Sequence, residues 1–184
     1  TNRDTYPDAP DVAAGWYVDD ITIEHGEIVF NNPEGFESGL GDWKVDYGMW
    51  QVGSPTAGPG SANSGDSCAG TVLNGNYTEP PEGGGSQTSR LISPSFVVPS
   101  DNPRLRFYHW YSFSWSDSGY VQIRVNGGDW VTLSGSYIWN SGGWTCPSLD
   151  LSAYADDTVE IGFAITTTNR DTYPDAPDVA AGWY

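Results

Sequence analysis

At 184 residues the chain is long enough for one ordinary domain with a substantial core. Its 24 acidic residues against 7 basic ones, a formal net charge of −17, exclude partners that need a cationic surface: DNA, RNA and anionic lipid. Aromatic residues make up 14%, too many for a disordered polyanion, and no apolar run of about eighteen residues offers a membrane span.

Taken in chain order, the first feature is a duplication. The opening seventeen residues, Thr1–Tyr17 (TNRDTYPDAPDVAAGWY), return unchanged as Thr168–Tyr184, offset by 167 residues. Either a longer protein of near-identical repeats or an overlap introduced in assembling the chain would leave this mark. The repeat reading is adopted, with each repeat the size of a domain. Gly15–Ile23 (GWYVDDITI) then reads as a strand, and Ile23–Glu37 as a linker zone.

The rest is punctuated by Gly, Pro, Ser, Asn and Asp every few residues, and apolar positions between them alternate with period two, so helices are not expected. CAGTVL and SRLISPSFVV read as weaker strands. Arg104–Trp115 (RLRFYHWYSFSW), the hairpin YVQIRVNGGDWVTL with its Asn126–Asp129 turn, and Thr158–Thr167 read as strong ones. Ser54–Ser67 and Asn76–Ser89 are long Gly/Pro/Ser-rich loops. Many short strands without helices predict an antiparallel jelly-roll β-sandwich.

Cys68 and Cys146 lack CxxC or His-rich spacing, so no zinc site is expected. A disulfide between them suits an extracellular repeat, and two buried free thiols are the alternative. Asn76-Tyr77-Thr78 is a glycosylation sequon in a polar loop. Tyr137, Trp139 and Trp144, set in a Gly/Ser/Asn-rich stretch, are candidates for stacking on a glycan or a neighbouring subunit. SGDSCAG superficially matches the segment around a serine-protease nucleophile, but the two histidines, His25 and His109, sit in no supporting motif. No enzymatic activity is expected.

The succession GFESGLGDW, SGDSCAGTVLNGNY, RLISPSFVV, LRFYHWY, VQIRVNGGDWVTL, WTCPSLDLSAYADDTVEIGF and finally GWYVDDITI resembles the bacterial choice-of-anchor and MAM-like jelly-roll modules, which have a concanavalin-like sandwich fold. The resemblance implies a structural calcium ion held by Glu37 and Asp20, with Asp66 and Asp19 as further ligands. It also implies that residues 1–25 are the closing strand of a preceding repeat and 26–35 a linker. Residues 36–184 would then be a jelly-roll domain without its own closing strand. Gly15, Trp16, Tyr17, Val18, Ile21 and Ile23 would form that strand, shared or exchanged between copies, or folded back into their own domain as part of residues 15–25. The functional expectation is a structural subunit of an extracellular or cell-surface filament or adhesin stalk, its partners other copies of the same repeat. The alternative is a carbohydrate-binding accessory module of a secreted hydrolase or peptidase.

Overall fold

The computed structural model describes residues 31–78, 80, 85–168 and 179–184. The expected inter-repeat strand (Gly15, Trp16, Tyr17, Val18, Ile21, Ile23) and the expected metal ligands Asp19 and Asp20 lie outside these residues. Among the described residues the strands are β1 (Lys44–Asp46), β2 (Gln51–Gly53), β3 (Cys68–Gly70), β4 (Ser86–Ile92), β5 (Phe96–Val97) and β6 (Arg104–Arg106). They continue with β7 (Tyr111–Ser112), β8 (Ser118–Val125), β9 (Val131–Thr132), β10 (Ser148–Asp150), β11 (Thr158–Thr168) and β12 (Gly182–Trp183). One turn of 3-10 helix, Ser152–Tyr154, is the helical exception among them.

One layer is a six-stranded sheet in the order β1-β4-β11-β8-β9, with β5 paired to the start of β11. Alternation explains it. In β11, Val159, Ile161 and Ile165 are buried while Glu160 and Thr166 between them reach the surface; in β8, Val121 and Ile123 are buried while Gln122 and Arg124 are not. Registers Ile161↔Ile123 and Phe163↔Val121 keep both apolar sets on one face. Each fully buried aliphatic side chain contributes roughly 1.5–3 kcal/mol relative to exposure, so a one-residue slip would reverse the gain. The predicted β8–β9 hairpin forms, with Gln122 opposite Thr132.

The opposing layer is built from shorter pairs, β2-β3, β12-β7 and β10-β6. Loop hydrogen bonds join them side by side. The Thr71 N–H donates to the Trp183 carbonyl at 2.8 Å, Trp110 and Tyr184 exchange bonds at 3.0 and 2.9 Å, and His109 and Thr145 exchange bonds at 2.8 and 2.9 Å. The chain is therefore an antiparallel β-sandwich.

Between the layers lies an aromatic core centred on Trp183, which is 1% exposed. Its ring centroid stands 5.5 Å from Tyr137, 5.7 Å from Phe163, 5.9 Å from Trp50 and 6.0 Å from His109. Gly182 makes this approach possible. Its φ is +102°, and a Cβ there would lie 1.9 Å from Thr71 Oγ1. The last copy of the duplicated segment is thus part of the core, through its final residues.

A second anchor is polar. Asp117, 1% exposed, accepts hydrogen bonds from the Tyr77 hydroxyl and from the Thr168 N–H at 2.8 Å. The Tyr77 hydroxyl in turn accepts from the Ser114 N–H at 2.9 Å. This network ties the loop after β3 and the end of β11 to the turn before β8, and it satisfies a carboxylate that would otherwise be costly to bury.

Candidate functional site

The outward face of the six-stranded sheet is where polar chemistry gathers. Alternation sends Glu160, Gly162, Ala164 and Thr166 of β11 outward, between Thr88, Arg90 and Ile92 of β4 and Ser118, Tyr120, Gln122 and Arg124 of β8. Small residues therefore hold the middle of the face and longer polar ones flank it. Trp130, arriving from the β8–β9 hairpin, covers the gap: a Cβ at Gly162 would stand 3.0 Å from its ring. The guanidinium carbons of Arg124 and Arg90 lie 4.6 and 5.7 Å from the same ring's centroid.

Each guanidinium is fixed by a second contact. Arg90 Nη1 donates to Asp46 Oδ2 at 3.0 Å and Arg90 Nε to Gln122 Oε1 at 2.8 Å. The Arg90 backbone N–H also donates to the Asp46 carboxylate. Arg124 Nε donates to Glu160 Oε2 at 2.6 Å. Hydrogen bonds from Ser118 and Ser136 hold the Tyr120 phenol below its ordinary pKa. Lys44, Arg90 and Arg124 bring three of the chain's seven basic residues to one face of a molecule with a net charge of −17. The result is an aromatic ring on a glycine-floored surface, rimmed by oriented donors and acceptors. Such a face offers apolar contact at the ring and hydrogen-bonding groups at the rim.

None of the sequence candidates among the described residues falls on this face. Tyr137 is half-buried and packs 4.7 Å from His109 and 5.5 Å from Trp183, against the aromatic core. The physical reason is the bridge to Gly119, where the two residues exchange backbone hydrogen bonds of 2.9 Å. Trp139 is 59% exposed, and its carbonyl accepts from the Phe113 N–H. Trp144 is half-buried on a groove between the layers.

The expected disulfide is corrected. Cys68 and Cys146 are free thiols, the first half-buried and the second exposed. Cys68 lies on β3, and Cys146 adjoins Thr145, with the lines of β12 and of β6–β7 between them. Three strand spacings amount to about 14 Å, far beyond the Cα separation a disulfide spans. Burial and the nearby Glu37 charge push the Cys68 thiol up to about 11.

Glu37 and Asp66 do come together, but by a different contact. The Glu37 carboxylate accepts hydrogen bonds from the N–H groups of Asp66 at 3.1 Å and Ser67 at 3.0 Å. Among the described residues no group of three or more His, Cys, Asp or Glu is placed to hold a metal ion. Asn76 is exposed, next to buried Tyr77. His109 is 3% exposed, and burial lowers its pKa to about 4, so it is a neutral core imidazole. No helix among the described residues is long and apolar enough to cross a membrane.

Comparison with known proteins bears on the fold and the class of protein. No protein-family model matches the chain. It is 29% identical over 169 residues to Bacillopeptidase F of Bacillus subtilis, a match covering 90% of this chain but 11% of that protein's length. Among solved structures it resembles TmCBM61 in complex with β-1,4-galactotriose. The TM-score is 0.50 at 16% identity, covering 86% of this chain and 92% of that one. A second is the K1 cleaved adhesin domain of Lys-gingipain from Porphyromonas gingivalis W83, with TM-score 0.45 at 20% identity, covering 67% and 85%. The β-sandwich is shared with the first of these. No specific tie to choice-of-anchor or MAM-like modules emerges.

Proposed function

We propose that the chain is a non-catalytic accessory module that binds neutral glycans on the outer face of its six-stranded sheet, within a secreted hydrolase or peptidase. The observation that carries this reading is Trp130 lying over Gly162 between Arg90 and Arg124. One face of a pyranose ring is a patch of C–H groups suited to an indole, and its rim of hydroxyls needs donors and acceptors in fixed positions. Asp46, Gln122 and Glu160 already hold the two guanidiniums in place, so a ligand would not have to order them. The carbohydrate-binding relative and the peptidase relative support this accessory role over the filament subunit expected from the repeat.

An oligosaccharide array that includes β-1,4-linked galactans tests the reading. Binding of neutral oligosaccharides that is lost in Trp130→Ala, with the melting temperature retained, is the expected result. Binding to none of them would refute it.

A further inference from the structure

Beyond Arg90 and Gln122 the outward face of the six-stranded sheet changes character. Thr166 stands between Thr88 and Ser118, and Thr168 lies opposite Ser86. The hydroxyls of Thr88 and Thr166 are hydrogen-bonded at 2.8 Å, and those of Ser86 and Thr168 likewise at 2.8 Å. Each pair uses one O–H and leaves the second, with lone pairs on both oxygens, facing outward. Tyr120, opposite Ala164, stands between this row and Gln122. The row holds no charged side chain, in a molecule whose net charge is −17.

The phenol of Tyr120 is fixed in place. Ser118 Oγ donates to its oxygen at 3.1 Å, and Ser136 hydrogen-bonds the same oxygen. Ser118 is two residues back on the same face, so a phenol whose oxygen reaches it lies along the strand and not upright. Both serine bonds lower the phenol's pKa, as bonds accepted by its oxygen do. The phenol's own O–H is therefore left to donate away from the sheet. Arg90 Nε and Gln122 Oε1, bonded at 2.8 Å across β11, fill the interval between Tyr120 and the Trp130 ring over Gly162.

Resting on the reading of Trp130 as a sugar platform, we infer that the site continues along β8 and β11, over Tyr120 to the hydroxyl row, and takes several consecutive units of an unbranched neutral glycan. Length selects a chain. Gly162 to Thr166 is about 13 Å along β11, and Gly162 to Thr168 about 20 Å. A single pyranose on Trp130 cannot reach the row, whereas a linked run of them can. Electrostatics select a neutral chain: Asp46 and Glu160 already neutralise Arg90 and Arg124, and the strip beyond them offers hydroxyls alone. Tyr120 adds a second ring for C–H contact and an outward donor. Thr88, Thr166 and Ser118 then supply donors and acceptors to the sugar hydroxyls beyond it. These groups are held by one another, so the chain would order few side chains on binding.

Titration with β-1,4-linked galacto- and gluco-oligosaccharides of increasing length, from the monosaccharide to the hexasaccharide, tests this. In the wild type, affinity should rise at least about fivefold between the disaccharide and the tetrasaccharide. Tyr120→Ala should abolish that rise, with disaccharide affinity within about twofold of wild type and the melting temperature retained. Tyr120→Phe, which keeps the ring and loses the outward donor, should lose part of it. Wild-type affinity that does not depend on length overturns the extended site and leaves the Trp130 reading standing. A length dependence unchanged in Tyr120→Ala does the same. Binding at no length overturns both.

Discussion

The Trp183 indole donates a 3.2 Å hydrogen bond to Nδ1 of His109, at the centre of the core. That bond requires a neutral imidazole, and burial lowers the His109 pKa from 6.5 to about 4. The folded value is depressed, so the stability from this site is fully present above pH 6.5. It is lost progressively as pH falls toward 4, where the unfolded chain takes up a proton that the folded chain refuses. Chemical denaturation of the wild type and of His109→Gln across pH 7 to 4 should show the difference between them shrinking as pH falls. A constant difference would mean that His109 is not linked to stability.

Gly182 sets the position of Trp183, and Gly182→Ala combines a disfavoured φ with a clash against Thr71 Oγ1. The substitution should cost roughly 2–4 kcal/mol, read as a lower denaturation midpoint.

The buried Asp117 network gives a separate prediction. Asp117→Asn removes a carboxylate that accepts from Tyr77 and from the Thr168 N–H, and should destabilise by about 2–4 kcal/mol. Tyr77→Phe removes one hydroxyl and should cost less, about 1–2 kcal/mol. A double mutant no worse than Asp117→Asn alone would place both in one network, whereas full additivity would separate them.

Thiol titration checks the cysteines directly. Denatured, unreduced protein should present two thiols. In the native state exposed Cys146 should react first, and Cys68, pushed up to about 11, at least about tenfold more slowly. Finding no thiols would restore the disulfide.

Alternation made the sheet legible: the apolar positions of β8 and β11 read directly as one face, and Asn126-Gly127 as the turn that closes the hairpin. Position across the sandwich was not legible. Two cysteines suggest a bond until the strand order puts β12 and β6 between them. Tyr137 sits among Gly, Ser and Asn in sequence, yet its burial is set by a bridge to Gly119, eighteen residues away. The Trp130 face is not legible in the sequence because its parts come from four strands, β1, β4, β8 and β11, and from the turn between β8 and β9. One trace of it was readable: Gly162, in the middle of the otherwise apolar run of β11, is the kind of strand glycine that marks close approach by another group.

Calorimetric titration with β-1,4-galactotriose and longer galactans is the most direct test of whether Trp130 over Gly162 forms the proposed glycan-binding surface. Wild type should bind saturably at one site. Trp130→Ala should weaken binding at least about tenfold, and Gly162→Val, which pushes the ring off the sheet, should do likewise, both with the core still cooperatively folded. Equal affinity in wild type and both variants would show that Trp130 does not contact the ligand.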